Sequence, residues 1–247
     1  MREQRMLEIM KIVGDKGFAD MQELAEKLGV SISTVRRDIA ELSRNKLVSY
    51  SKNIVVPASE NSIDGPFSFR AGINSQAKQA ISKEAVGLVK DGSAIFIDSS
   101  STALPMAGML PGAYSLTVVT NSLHVLERIR SSRIQVQLVG GEMSAMSNGF
   151  YGPLAEESLR RYNFDFGFFS PVAVTSQNYA AETTPEAASI RQVAMERTAC
   201  PVLLFDHTKL GLRRPYNFAR LEEFAYLITD DTAHEFGRNV KVCRVHA

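Results

Sequence analysis

Cysteine and histidine are scarce, the charges nearly cancel, and no long apolar run is present. Cys200 and Cys243, the two cysteines, lack any metal-ligand spacing. No signal-peptide apolar core precedes them, so they are expected to be reduced thiols of a cytoplasmic protein. His124, His207, His234 and His246 are scattered, so no zinc or other metal is expected. No cofactor is expected either. No stretch approaches the ~20 apolar residues of a membrane span, which excludes an expected membrane partner. The formal net charge is +1 over 247 residues. The whole chain is therefore not a polycation, and any contact with nucleic acid must be local. What the chain does have is a 45% share of hydrophobic residues, enough to bury a core. Its length allows one large domain or two ordinary ones.

Residues 24–42, LAEKLGVSISTVRRDIAEL, read as two short helices around a tight turn. Leu24, Ala25 and Leu28 share a face of the first; Val35, Ile39 and Leu42 share a face of the second. Gly29 stands where the chain must turn and accepts a positive φ. Ser31 or Ser33 caps the second helix. Opposite its apolar stripe this helix carries Ser33, Thr34, Arg36 and Arg37, groups suited to phosphates and guanine edges. Any helical hairpin needs apolar faces and a polar exterior, so the pattern alone weighs evenly between DNA binding and simple structure. The flanking sequence tips it. Met6, Ile9, Met10 and Val13 supply a further helix. Residues 46–50 and 54–56 are β-prone runs separated by Ser51-Lys52-Asn53 and read as a hairpin. Three helices and a hairpin make a winged helix-turn-helix, expected over residues 1–57. Arg36, Arg37, Arg44, Lys46 and Lys52 give the local basic cluster. The expected DNA-binding residues are Ser31, Ser33, Thr34, Arg36, Arg37 and Lys52.

The polar, proline-bounded PASENSIDGP stretch of residues 57–66 reads as a linker, expected over residues 58–69. A second domain is expected over residues 70–247. It opens on a helical pattern of Ala77, Ile81, Ala85, Leu88 and Val89, ended by Asp91-Gly92. Short apolar runs then alternate with helical segments. The runs are residues 94–97, 116–119, 136–139, 164–169, 202–205 and 226–229. This alternation predicts an α/β domain with a mostly parallel sheet covered on both faces. Asp98, Thr120, Gly140, Ser170, Asp206 and Thr229 fall at the carboxyl ends of the runs, the edge where such sheets bind ligands.

Ser99-Ser100-Ser101-Thr102 follows Asp98 and precedes a helical run from Ala103 to Leu110. Hydroxyls and backbone N–H groups at such a junction suit an anion, a phosphate above all. Asp98 has the wrong charge for phosphate and is given sugar hydroxyls. Lys209 reads as a partner of the phosphate in preference to a surface lysine. Glu182 is a ligand candidate in a loop, or serves with Glu186 the dipole of a helix begun by Pro185. Gly140 and Gly141 read equally as turn or ligand contact.

Along nearly its full length the chain resembles the DeoR family of bacterial transcriptional regulators. The matching pieces are ELAEKLGVSISTVRRDIAEL, KDGSAIFIDSSST, TVVTNSL, VQLVGGEM, GPLAEESLRRYNFD and LLFDHTK. The resemblance implies an N-terminal winged helix-turn-helix and a C-terminal sensor domain similar to ribose-5-phosphate isomerase. It implies a repressor of a carbohydrate-utilisation operon, released by a phosphorylated sugar effector. Carried over residue by residue, the effector pocket includes Asp98, Ser99, Ser100, Ser101, Thr102, Thr120, Asn121, Gly140, Gly141 and Lys209. Arg70 and Lys78 match basic family positions and serve either ligand or interdomain contact. Three departures stand out. The wing has Tyr50-Ser51-Lys52-Asn53-Ile54 where the family commonly has His-Gly-Gly. Ser100 occupies a position often glycine. Ser170-Pro171-Val172-Ala173 replaces a glycine-rich segment.

The expected mechanism is a homo-oligomer, dimer or tetramer, presenting paired recognition helices to double-stranded operator DNA. Its expected relay is the linker and the helix after it. The rival is an isomerase-like enzyme with Asp98 as general base and Lys209 as electrostatic partner; no catalytic residue is assigned in the preferred reading. An activator, or a regulator without small ligand, is a third reading.

Overall fold

The computed structural model describes residues 2–45, 47–57, 67–112, 114–129, 133–237 and 240–246. Lys46 of the basic cluster and residues 58–66 of the expected linker lie outside the described residues. The chain forms two compact units, Met1–Ile73 and Asn74–Ala247. Among the described residues no helix is long and apolar enough to cross a membrane.

The first unit contains α1 (Arg2–Lys16), β1 (Ala19–Asp20), α2 (Met21–Leu28), α3 (Ile32–Arg44), β2 (Val48–Ser51), β3 (Ile54–Pro57) and α4 (Phe67–Gly72). The sequence signals act locally. Asp20 caps α2 by accepting from the N–H of Gln22. Gly29 ends α2 in the left-handed region at φ 61, its N–H returning to the last turn. Ser31, of the two candidate serines, caps α3 by accepting from the N–H of Thr34. Ile9 and Val13 of α1, Leu24 of α2 and Val35, Ile39 and Leu42 of α3 close one core with Val48 and Val55 of the wing. Burying each such aliphatic side chain contributes about 1.5–3 kcal/mol. The hairpin turn is shorter than the three residues read from sequence. Ser51 pairs with Ile54, leaving Lys52 and Asn53 at the tip. The two-residue β1 joins the edge of β3 and makes the wing sheet three-stranded.

The second unit runs α5 (Ser75–Val86), β4 (Ala94–Ile97), α6 (Leu104–Met109), β5 (Leu116–Thr120), α7 (Leu123–Arg128), β6 (Ile134–Leu138), β7 (Glu142–Ser144) and β8 (Gly149–Tyr151). Then come α8 (Pro153–Arg160), β9 (Phe164–Phe169), β10 (Ala173–Val174), β11 (Tyr179–Glu182), α9 (Pro185–Glu196) and β12 (Thr198–Phe205). The chain closes with β13 (Tyr216–Arg220), β14 (Tyr226–Thr229) and β15 (Lys241–Arg244). Seven strands form a sheet in the order β15-β14-β12-β9-β4-β5-β6. Every neighbouring pair in it is parallel.

The apolar runs are continuous because both sheet faces are covered. Alternate residues point to opposite faces. Phe96, Phe169, Leu203 and Phe205 therefore join a core with Leu159 of α8 and Val193 of α9, which also takes in Phe164 from the start of β9. Ile95, Ile97, Phe168, Val202 and Leu204 join another with Ile81 of α5 and Met106 of α6. The strand after β4 moves to one side and β9 to the other. Strand order thus reverses between β4 and β9, and the carboxyl ends there form the switch point at which such sheets hold ligands in a crevice. Three strands differ from the sequence reading, β5 by running one residue further to Thr120 and β6 by also ending one residue earlier, at Leu138. β6 starts at Ile134 because its ladder to β5 begins at Leu116. β12 starts at Thr198 because it pairs with the beginning of β9. Two small antiparallel sheets, β10-β11-β13 and the β7-β8 hairpin, are additional.

Candidate functional site

The DNA-facing candidates are local to α3 and the wing. Arg36 and Arg37 are exposed. Arg36 Nη2 donates to Asn53 Oδ1 at 3.3 Å, tying the helix to the wing tip. Arg37 Nε donates to the Ser33 carbonyl at 3.4 Å. Ser31 Oγ lies 2.8 Å from Ser33 Oγ and 2.9 Å from Thr34 Oγ1, so the three hydroxyls form one polar cluster at the start of α3. Lys52 is exposed at the wing tip with φ 55. Asp38, not singled out from the sequence, is buried on the inner side of α3. Arg2 Nε reaches its Oδ1 at 3.1 Å and Arg5 Nε its Oδ2 at 2.6 Å. Burial opposes ionisation of Asp38, but the hydrogen bonds from Arg5 and Arg2 prevail and hold the carboxyl below its usual range. This acid anchors α1 on the recognition helix.

In the second unit the structure gathers most of the expected pocket residues at the strand-switch crevice. Asp98 ends β4 and is buried. Its Oδ1 accepts from the N–H of Ser100 at 3.0 Å. Its Oδ2 accepts from the N–H of Ser170 at 2.9 Å and from Arg191 Nε at 3.0 Å. Both carboxylate oxygens thus serve to hold the hydroxyl loop and the end of β9 together. Ser100 turns its Oγ back to accept from the N–H of Ala103. The extra side chain at this position therefore closes the loop locally. Ser82 donates to the Thr102 carbonyl at 2.9 Å and pins the loop from α5.

Two lysines reach the same loop. Lys209, in a 3₁₀ turn after β12, donates to Thr102 Oγ1 at 3.1 Å, Ser170 Oγ at 2.8 Å and the Pro171 carbonyl at 2.8 Å. Lys78 of α5 donates to Ser101 Oγ at 3.4 Å. Both lysines are buried. Asp206 stands beside them. Burial raises its pKa, yet Lys209, a bond from Thr208 and the charge of Lys78 outweigh that and hold the carboxyl low. Ion pairs taken out of water interact strongly, so this group is electrostatically tight.

Next to the lysines lies an acidic pole. Glu182 ends β11, and its Oε1 is 3.5 Å from Arg191 Nε and accepts from the N–H of Val172 at 3.3 Å. Arg191 of α9 also donates to the Ala187 and Ser170 carbonyls. Burial lowers the Arg191 pKa, but Glu182 and Asp98 more than restore it, so the guanidinium stays charged. Neither Arg191 nor the linking role of Ser170 was read from sequence as part of the site. Ser170 offers its N–H to Asp98, its carbonyl to Arg191 and its hydroxyl to Lys209.

A hydroxyl-lined corner completes the arrangement. Thr120 Oγ1 donates to the Ile97 carbonyl and accepts from the N–H of Ser122. Asn121 Nδ2 donates to Ser99 Oγ at 3.3 Å and to the Phe150 carbonyl at 3.2 Å. Ser99 Oγ lies 2.9 Å from the hydroxyl of Tyr151 on the β7-β8 hairpin. Asn121 Oδ1 is buried and finds no hydrogen-bond partner among the described residues, an acceptor that a donor such as a ligand hydroxyl would satisfy. Gly140 and Gly141 are exposed. At Gly141 the φ is 126 and a Cβ would meet the Tyr151 carbonyl at 2.4 Å, so glycine lets the hairpin close there. Arg70 belongs to the other unit, on α4, with its guanidinium 5.5 Å from the Phe67 ring centre.

Two family profiles match the chain. One, the DeoR C terminal sensor domain, covers residues 73–231; the other, the DeoR-like helix-turn-helix domain, covers residues 5–50. HTH-type transcriptional regulator GlpR of Haloferax volcanii is 29% identical over 229 residues, spanning 93% of this chain and 90% of that protein. The lactose phosphotransferase system repressor of Staphylococcus epidermidis is 31% identical over 237 residues, spanning 92% and 91%. Among solved structures, ribose 5-phosphate isomerase A from Methanocaldococcus jannaschii aligns with a TM-score of 0.41 at 20% identity. That alignment covers 56% of this chain and 55% of that one.

Proposed function

The chain belongs to the DeoR family of transcriptional regulators, and from that premise we propose that it represses a carbohydrate-utilisation operon until a phosphorylated sugar releases it. The DNA is held by α3 and the wing. Arg36 and Arg37 divide between base edges and phosphates, Lys52 meets the backbone, and Ser31, Ser33 and Thr34 serve phosphates at the start of the helix. Two or more copies present these helices to half-sites about one helical turn apart.

The observation that carries the reading is the meeting of Lys78 and Lys209 on the Ser101–Thr102 hydroxyls at the strand-switch crevice. Phosphate is the ligand group matched by two ammonium groups, three hydroxyls and the N–H groups of the loop. The Asn121 carbonyl and the acidic pole take the donors of a polyol: Glu182 accepts from sugar hydroxyls, Asp98 holds the loop that lines the site, and Asn121 and Ser99 fix the far end. The relatives named for sugar-linked regulation support this ligand class.

The test is a thermal-shift screen of full-length protein against sugar phosphates and their unphosphorylated parents. A ligand that binds only the native state raises the melting temperature by mass action. The expected result is a shift with a phosphorylated sugar, lost in Lys209→Ala. A shift with free sugars, nucleotides or acids alone overturns the phosphate assignment. Addition of the active compound to the DNA complex then reads release directly.

A further inference from the structure

Two clamps flank a single residue where the units meet along the chain. On one side is Gly72, the last residue of α4. A Cβ built there would meet Ser51 Oγ at 2.0 Å, so α4 ends hard against wing strand β2. Ser51 immediately precedes the wing tip at Lys52 and Asn53. On the other side is Asn74, which starts α5 with a left-handed backbone of φ 49 and ψ 39. Asparagine tolerates this region better than most residues, yet it is still a strained one.

The Asn74 side chain is also diverted. An asparagine at a helix start ordinarily accepts an N–H of the first turn. Here it makes no such cap. Its amide donates instead to Asp206 Oδ1 at 3.0 Å and to Thr208 Oγ1 at 3.3 Å. Asp206 is the acid held low by Lys209 and Lys78. Only Ile73 separates the residue clamped to the wing from the residue clamped to the lysine pole.

On the footing of the function proposed above, we infer that Gly72-Ile73-Asn74 is the relay between ligand and DNA, with Asn74 as its positioning residue. An anion on Lys78 and Lys209 brings negative charge beside Asp206 and competes for the same two cations. The Asp206 carboxylate shifts, and the amide of Asn74 loses its partner. The left-handed backbone of Asn74 then relaxes. A change of backbone direction at Asn74 reaches Gly72 across one residue. Gly72 has no free space against Ser51, so β2 and the wing tip move with it. This places the relay C-terminal to the linker expected from sequence.

The experiment uses the full chain, a DNA duplex selected by the wild type from random sequence, and the sugar phosphate giving the largest thermal shift. Ligand and DNA affinities are measured separately, and DNA affinity is measured again with ligand saturating. For the wild type, saturation is expected to weaken DNA binding about tenfold or more, the usual scale of such coupling. Asn74→Gly keeps the left-handed backbone accessible and removes only the amide. It is expected to bind ligand and DNA each within about threefold of wild type, yet to release DNA by less than about threefold. Full release by Asn74→Gly overturns the relay. So does a ligand affinity that falls in step with release, since that makes Asn74 part of the pocket. A wild type that binds no sugar phosphate, or binds one and keeps its DNA, overturns the proposed function itself and the relay with it.

Discussion

Arg37 of α3 stands in solvent, while Arg191 of α9 is enclosed by Asp98, Glu182 and two carbonyls. Both are helical arginines, and the difference in burial separates their work. The DNA face consists of neighbours in sequence, exposed on one helix and one turn. The polyanion proposed as its partner is long and would arrive through water, so exposed cations would suffice and salt would weaken them. The pocket is assembled from α5, the loop after β4, the end of β9, β11, α9 and the turn after β12. Its charges are buried and held by specific partners, as the anion site proposed above calls for.

The largest break in this comparison is expected from Arg191→Leu. It leaves Asp98 and Glu182 buried without their cation, which costs about 3–5 kcal/mol of stability. Urea denaturation of the variant reads this, and stability equal to wild type would refute the structural role of the pair. Arg37→Ala sharpens the contrast. Its melting temperature is expected to match wild type, while binding to a selected duplex weakens by about 1–3 kcal/mol. Unchanged DNA affinity would remove Arg37 from the interface. The smallest effect concerns Asp38, whose arginine partners are partly exposed and therefore screened. Its native pKa lies below the ordinary value of about 3.9, held there by Arg5 and Arg2. The stabilisation it adds is complete above that ordinary value and fades as pH falls through the native one. Acid titration of stability should show a shallower acid limb for Asp38→Asn; limbs of equal slope would sink the assignment.

The first unit was legible because its signals are local. The apolar stripes at Leu24 and Leu28 and at Val35, Ile39 and Leu42 fix two helix faces. Gly29 and Ser31 fix the turn between them. Five of the six apolar runs in the second unit began or ended where strands do, because a strand buried on both faces needs no polar residue inside it. The edge strand β15, with the alternating Lys241-Val242-Cys243-Arg244, carries a weaker signal, since one edge is unpaired and its residues are half exposed. The short pieces β7, β8 and β10 carry almost none.

Site residues divide in the same way. Ser99–Thr102, Asn121 and Lys209 stood beside recognisable strand ends and are gathered in the crevice. Arg191 sits mid-helix in PEAASIRQVAME, where an arginine reads as a solvated side chain. Asp38, in a helix rich in charge, reads as a surface acid. A single faint signal existed for it: Arg2 and Arg5 lie three apart on α1, so both can face one carboxylate.

Local signals in the chain suffice for the two-part organisation, the recognition helix and the strand ends that could bind a ligand. Periodicity, caps and apolar runs act over a few residues, and one strand at a time suffices to express them. Tertiary structure alone decided which strand ends meet. Strand order reverses between β4 and β9, and that reversal brings Ser170 against Asp98 and carries Arg191 and Lys209 to the same few ångströms. No local pattern encodes a pairing between residues 98 and 191, because the interaction exists only once the helix is packed and water has been excluded from both charges.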